Sequence, residues 1–256
     1  VKTSQIILTG TLVGAMAFGV IRVGATQSHR PVALYDSNQG TESSKQNPEA
    51  NKITQAANQA DKADGKTNAR PVPASLYNLG EYAENLYDLA QANKWTKTGA
   101  KLTSLQNTAK RLTTEYKDSA DADLNKSIAA LNQAVAAKDR QATMIYSNQV
   151  TLIATKMTVP FQPKVPVEVA LLDYYGRELQ IWAGTGNTAK LKTTTNEIRK
   201  TWDAIRPSIE SHGGSVPAQK FDSLVTRLEA AKSSSEYGRI ATPILDEVDN
   251  LEKVFN

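Results

Sequence analysis

From residue 73 onward the apolar positions recur at helical spacing, and no stretch shows the period of two that a half-buried strand requires. Leu76, Leu79, Ala83, Leu86 and Ala90 share one helical face, followed by Leu102, Leu105, Ala109, Leu112 and Tyr116. Leu124, Ile128, Leu131 and Val135 form a third stripe, and Ile145, Leu152 and Ile153 a fourth that ends near Met157. After a proline-rich break at residues 158–166 come Val169, Leu172, Leu179 and Trp182, then Leu191, Ile198, Trp202, Ile205 and Ile209. Phe221, Leu224, Val225 and Leu228 make the seventh stripe; Tyr237, Ile240, Leu245, Val248 and Leu251 make the eighth. The pattern predicts an all-α body of eight helices.

The two halves of that body look alike. Pro73 and Pro166 each precede a helix carrying a tyrosine, Tyr82 or Tyr175, with a leucine four residues on, Leu86 or Leu179. Residues 100–102 and 189–191 read Ala-Lys-Leu, a match that needs a four-residue shortening, and residues 136–138 and 230–232 read Ala-Ala-Lys. Both halves end on a phenylalanine, Phe161 and Phe255. Such a period implies a duplicated unit. Four helices are enough to close a core without a sheet. The expectation is two tandem up-down four-helix modules, residues 73–161 and 162–256, related by an internal duplication.

The N-terminus differs in kind. After Lys2, residues 6–21 carry no charge, and residues 6–25 would reach about 30 Å as a helix, enough for a bilayer core if Arg22 snorkels. Val23 and Ala25 would suit signal-peptide cleavage, but Arg22 falls where such sites are uncharged. We therefore expect residues 1–25 to be a retained single-pass anchor, in a bacterial inner or photosynthetic membrane, with the bulk on the periplasmic side. Gly10 and Gly14 form a GxxxG motif, and Ala15 and Gly19 repeat the small-residue spacing. That seam suits helix packing in lipid, where close backbone approach drives association. Residues 26–72 are polar, with scattered prolines, and read as an extended linker; residues 32–35, ending at Tyr35, are its apolar patch.

Composition removes much chemistry. The 256 residues contain no cysteine and two histidines, His29 and His212, which leaves no thiolate site and little for zinc, haem or a triad. No Glu-x-x-His pair occurs, as a di-iron bundle would need. The net charge of +4 is concentrated in residues 1–72, so residues 73–256 are almost neutral, which argues against nucleic acid. Asp118, Asp121 and Asp123 lack the glycine and final glutamate of a calcium loop and are expected to cap the third helix. His212 before Gly213 and Gly214 reads as a helix end with a left-handed glycine cap; Ser215 beside it has no third group to orient a base. Gly184 to Asn187 reads as an interhelical turn without the strand of a phosphate loop. No catalytic, cofactor or metal constellation emerges.

Tyrosines and an acidic run remain. Tyr77, Tyr82, Tyr87, Tyr174 and Tyr175 crowd the first helix of each half. Tyr174 and Tyr175 point about 100° apart, so both are not expected inside. Tyr35, Tyr87, Tyr174 and the acidic Asp246, Glu247 and Asp249 are the candidate surface for a partner. In build, not in sequence, the chain resembles the extrinsic helical subunits of photosynthetic complexes, such as the Q-type protein of photosystem II. That resemblance implies a non-catalytic subunit stabilising a larger photosynthetic or respiratory membrane complex. The competing expectation is a free-standing periplasmic binding or sensor module for a metal or small hydrophobic ligand.

Overall fold

The structure is a computed structural model that describes residues 71–116 and 120–255. Eight α-helices and no strand occur among these residues: α1 Ala74–Gln91, α2 Trp95–Glu115, α3 Asp121–Ala136, α4 Arg140–Thr158, α5 Val167–Thr185, α6 Thr188–Ser211, α7 Ser215–Ala230 and α8 Ser234–Lys253. A single 3-10 turn, Val159–Phe161, follows α4. The all-α expectation holds. The anchor, residues 26–70 of the linker and Asp118 lie outside the described residues; Val72, at the end of the expected linker, packs on the apolar core. Among the described residues no helix is long and apolar enough to cross a membrane.

Helix ends follow local chemistry. Pro73 and Pro166 supply the N-caps of α1 and α5 with nearly the same backbone angles. Asp139 caps α4 by accepting from the Ala142 N–H, and Asn187 caps α6 by accepting from the Lys190 N–H. Ser233 and Glu236 form a reciprocal capping box at α8. Ser233→Ala should therefore cost about 1 kcal/mol, read as a lowered thermal midpoint. At α3 the cap expected from carboxylates is instead Ala120, without a side-chain bond. Asp121 and Asp123 sit inside the first turn, where they favour the positive end of the helix dipole. His212 is the C-cap of α6 and Gly213 takes φ +86°, as the sequence suggested.

The first four helices pack in a ring, α1 on α2 and α4, α3 on α2 and α4; the last four repeat it, α5 on α6 and α8, α7 on α6 and α8. The turns entering α2 and α6 carry the same bonds. Asn93 N–H donates to the Ala90 carbonyl and Lys94 N–H to that of Leu89; Gly186 and Asn187 do the same to Ala183 and Trp182. Asn93 and Gly186 both have positive φ. This equivalence needs no four-residue shortening, so the Ala-Lys-Leu match is out by about one turn. Without it, Thr98, Leu105, Ala109 and Leu112 fall opposite Leu191, Ile198, Trp202 and Ile205, all buried.

The boundary between the two apolar clusters does not follow the boundary between the rings. One apolar cluster fills the first ring, including Leu79, Leu105, Leu131 and Ile153. The other fills the second ring and extends into the first to take in Tyr87 and Ala90 of α1 and Met144 and Leu152 of α4. The seam runs through α4 and α5, which pack directly. There Asn148 Nδ2 donates to the Tyr174 carbonyl at 3.1 Å. Because α4, α6 and α8 all lie against α5, two directions 100° apart both meet protein. Tyr174 and Tyr175 are accordingly both buried, at 5% and 1% exposure, with their rings edge-on at 5.1 Å, contrary to expectation. Gly176 admits α8 closely: a Cβ there would lie 2.6 Å from Leu245 Cδ2.

Candidate functional site

The expected partner surface divides in the structure. Gly10, Gly14, Ala15, Gly19 and Tyr35 lie outside the described residues. Tyr87 is 1% exposed, so it is no surface residue: its hydroxyl donates to Gln180 Oε1 at 2.9 Å, across from α1 to α5. Tyr174 is likewise internal, with its hydroxyl donating to Glu178 Oε1 at 3.0 Å. Glu247 is 7% exposed and accepts from Asn250 Nδ2, while its other oxygen is buried without a partner. Helical pitch explains that correction: Asp246 and Asp249 face outward, and residue 247, one step of 100° on, turns inward. Asp246 and Asp249 remain as surface carboxylates on α8, and Tyr77, at 64% exposure, is the exposed tyrosine of α1.

These residues border a junction that the sequence reading missed. Arg177 of α5 is largely enclosed, with 12% of its side chain exposed. Its Nε donates to Asp173 Oδ2 at 2.9 Å, one turn back on α5. Its Nη1 reaches Asp88 Oδ1 at 3.1 Å and its Nη2 lies 3.7 Å from Glu84 Oε2, both on α1. The guanidinium also lies 5.1 Å from the centroid of the Tyr87 ring. Glu81 of α1 and Asp249 and Glu252 of α8 add their charges to the same junction. Among the described residues, Arg177 thus joins Asp173 to Glu84 and Asp88, linking α5 to α1.

Burial, ahead of the neighbouring charges, raises three of these carboxyl groups, Glu84, Asp173 and Glu252. Burial first, then the Asp173 charge, push Glu84 up to about 8, with Arg177 opposing. Burial raises Asp173 as well, against the pull of Arg177. Glu252 is raised by burial and by Asp173 and Asp249. Burial works against the Arg177 charge, but Asp173 and Glu84 more than offset it and hold the group protonated. A carboxyl raised in the folded state stabilises fully below the usual carboxylate range and loses that contribution as pH climbs through its folded value. Here the loss runs upward to about pH 8.

Next along α5, Glu178 is embedded between α5 and α6. Tyr174 holds one oxygen and Thr194 Oγ1 donates to the other at 3.1 Å. Burial raises this carboxyl too, opposed by the Tyr174 and Thr194 hydrogen bonds and by Lys190. An open groove between α1, α5 and α8 is lined by Gln91, Gln180, Gly184, Ser234, Gly238 and Thr242. His212 Nδ1 lies 2.8 Å from the Ser208 carbonyl and its ring 4.8 Å from that of Phe255, so the imidazole is committed to the helix end. Among the described residues, no three His, Asp or Glu side chains are arranged to hold a metal. Searches against protein-family models, curated proteins and solved structures find no match to this chain.

Proposed function

We propose that the chain is a non-catalytic, membrane-anchored helical subunit that supports a larger membrane complex, a photosynthetic or respiratory one, from the extracytoplasmic side. The observation that carries this reading is the acidic face of α1 and α8. There Asp246 and Asp249 stand exposed on α8, Asp249 adding its charge beside Asp173, on a body whose inward polar groups serve packing. That face suits a basic surface on the partner, with Tyr77 adding exposed aromatic area. Residues 1–25 hold the body at the bilayer through the seam of Gly10, Gly14, Ala15 and Gly19, and residues 26–72, with Tyr35, bridge the distance. The body itself is a duplicated four-helix module, 73–161 and 162–256; the matching turns before α2 and α6 support that origin.

Replacing Gly10 and Gly14 together by Leu should block close helix approach and reduce incorporation into the complex, with the helical circular dichroism unchanged. Full occupancy of the double variant would remove the anchor from this account. The groove lined by Gln91, Gln180 and Thr242 favours a second reading, a free-standing extracytoplasmic binding module for a small ligand. A metal or hydrophobic ligand retained on the isolated chain would select it.

A further inference from the structure

The two modules meet through equivalent positions. Tyr87 and Gln180, which hydrogen-bond to each other, are 93 residues apart, the spacing that also separates Asn93 from Gly186 in the matching turns. Glu84 and Arg177, 3.7 Å apart, share it. Contact between a position and its own counterpart is the mark of a two-fold interface. About such an axis, α4 against α5 on one side corresponds to α8 against α1 on the other.

The first side is closed. Met144 and Leu152 of α4 join the second apolar cluster, and Asn148 Nδ2 donates to the Tyr174 carbonyl of α5. The caps Asp139 and Ser233 and the buried Phe161 and Phe255 set α4 in register with α8. In that register Val150, Ala154 and Met157 fall opposite Ile244, Val248 and Leu251, all buried. One stripe differs. Met144, Asn148, Leu152 and Thr155 are buried on α4, whereas their counterparts Gly238, Thr242, Asp246 and Asp249 are exposed on α8. Each lies three or four residues from the next, so they share one helical face. The matching change occurs on the opposite wall. Tyr174 and Ile181 of α5 are buried, and their counterparts Glu81 and Asp88 of α1 are exposed. The Tyr174 carbonyl is taken by α4, whereas the Glu81 carbonyl accepts from Asn85 of its own helix.

We propose that the trough between α1 and α8 is the seat of a helix from the partner, one that carries lysine or arginine along one face. This deepens the subunit reading and rests on it and on the duplication. The closed side shows what kind of element the stripe on α8 is shaped to meet, since its counterpart on α4 is covered by a helix. Charge selects the occupant. Neutral groups of the closed seam give way to Glu81 and Asp88 on one wall and Asp246 and Asp249 on the other, and like charges hold the walls apart until cations lie between them. Gly184 and Gly238, in the groove at one end of the trough, leave room for side chains of the incoming helix. A second copy offering the same two faces would bring carboxylates together. The walls do not converge on a metal, since among the described residues no three acidic or histidine side chains are arranged for one.

The test titrates the purified full chain, in detergent, with synthetic alanine-based helical peptides of one composition, their lysines set along one face or spread around the helix. We expect the one-face peptide to bind more tightly, and Asp246→Asn with Asp249→Asn to weaken it about fivefold. Asp123→Asn, which removes an exposed carboxylate of α3, should leave it unchanged. The chain has no cysteine, so an introduced one reports position. A peptide thiol should cross-link to Thr242→Cys and not to Ser223→Cys on the exposed face of α7. Equal binding of the two peptides, indifference to the Asp246 and Asp249 changes, or cross-linking at Ser223 as fast as at Thr242 would overturn the seat. So would binding that emerges only after Lys66→Gln with Arg70→Gln, because the chain's own linker is then the occupant. Failure of the subunit reading is read separately, from migration of the chain in solubilised native membranes.

Discussion

Trp202→Ala is expected to lower the stability of the body by about 3–5 kcal/mol. The ring is fully buried in the second apolar cluster, and its centroid lies 4.6 Å from that of Phe221 on α7. Truncation leaves a cavity between α6 and α7 that two regular helices cannot close without losing their remaining contacts. It also removes a hydrogen bond, because the indole Nε1 donates to Asp222 Oδ1 at 2.7 Å. Asp222 keeps its pairing with Arg206 at 2.8 Å, so it is not left as a lone charge and the cavity dominates the loss. Denaturant unfolding followed by far-ultraviolet circular dichroism measures it. A loss below about 1 kcal/mol would contradict the assignment of α6 to the core.

Arg177→Met should be nearly as damaging, by about 3 kcal/mol near pH 8. Methionine approximates the aliphatic stem of the arginine but leaves Asp173 and Glu84 without their cation in a partly enclosed junction. Asp88 contributes little to this loss, since 65% of its side chain is in water. The penalty has a sign in pH. Removing the guanidinium makes Glu84 and Asp173 hold protons more tightly, so acid relieves the variant and its deficit shrinks towards pH 5. Unfolding midpoints of the two proteins at pH 5 and pH 8 check this. Equal deficits at the two pH values would show that Arg177 acts through packing of its stem and not through its charge.

The helices were legible in the sequence because their stripes are regular: Leu76, Leu79, Ala83, Leu86 and Ala90 are all inside, as are Phe161 and Phe255 at the two ends. The register between the two halves was not. Positions four apart share a helical face, so an apolar pattern cannot distinguish one turn from the next, and the Ala-Lys-Leu match slipped by that amount. Turn chemistry resolves it, through the positive φ of Asn93 and Gly186. The tyrosines were misplaced for a different reason. An amphipathic reading assumes one buried face, whereas α5 is enclosed by α4, α6 and α8, so Tyr174 and Tyr175 are both internal. A signal for this was present: Val167, Val169, Leu171, Leu172, Tyr174, Tyr175, Leu179, Ile181 and Trp182 spread over more than one face of the helix, wider than a single amphipathic stripe. Within that run, Arg177 with Asp173 one turn before it is the charged pair that marks the junction. Its partners on α1 lie about 90 residues away, and no local pattern connects them.

The central claim is that this chain works as a stoichiometric part of a membrane assembly. Gentle detergent solubilisation of native membranes, followed by size separation and quantitative detection of the chain, tests it most directly. The account predicts that the chain migrates with a much larger partner at a fixed ratio, and that the Gly10 and Gly14 double leucine variant shifts to the free fraction. Migration of the unaltered chain alone, at the size of a single 27.8 kDa polypeptide with its detergent, would contradict it.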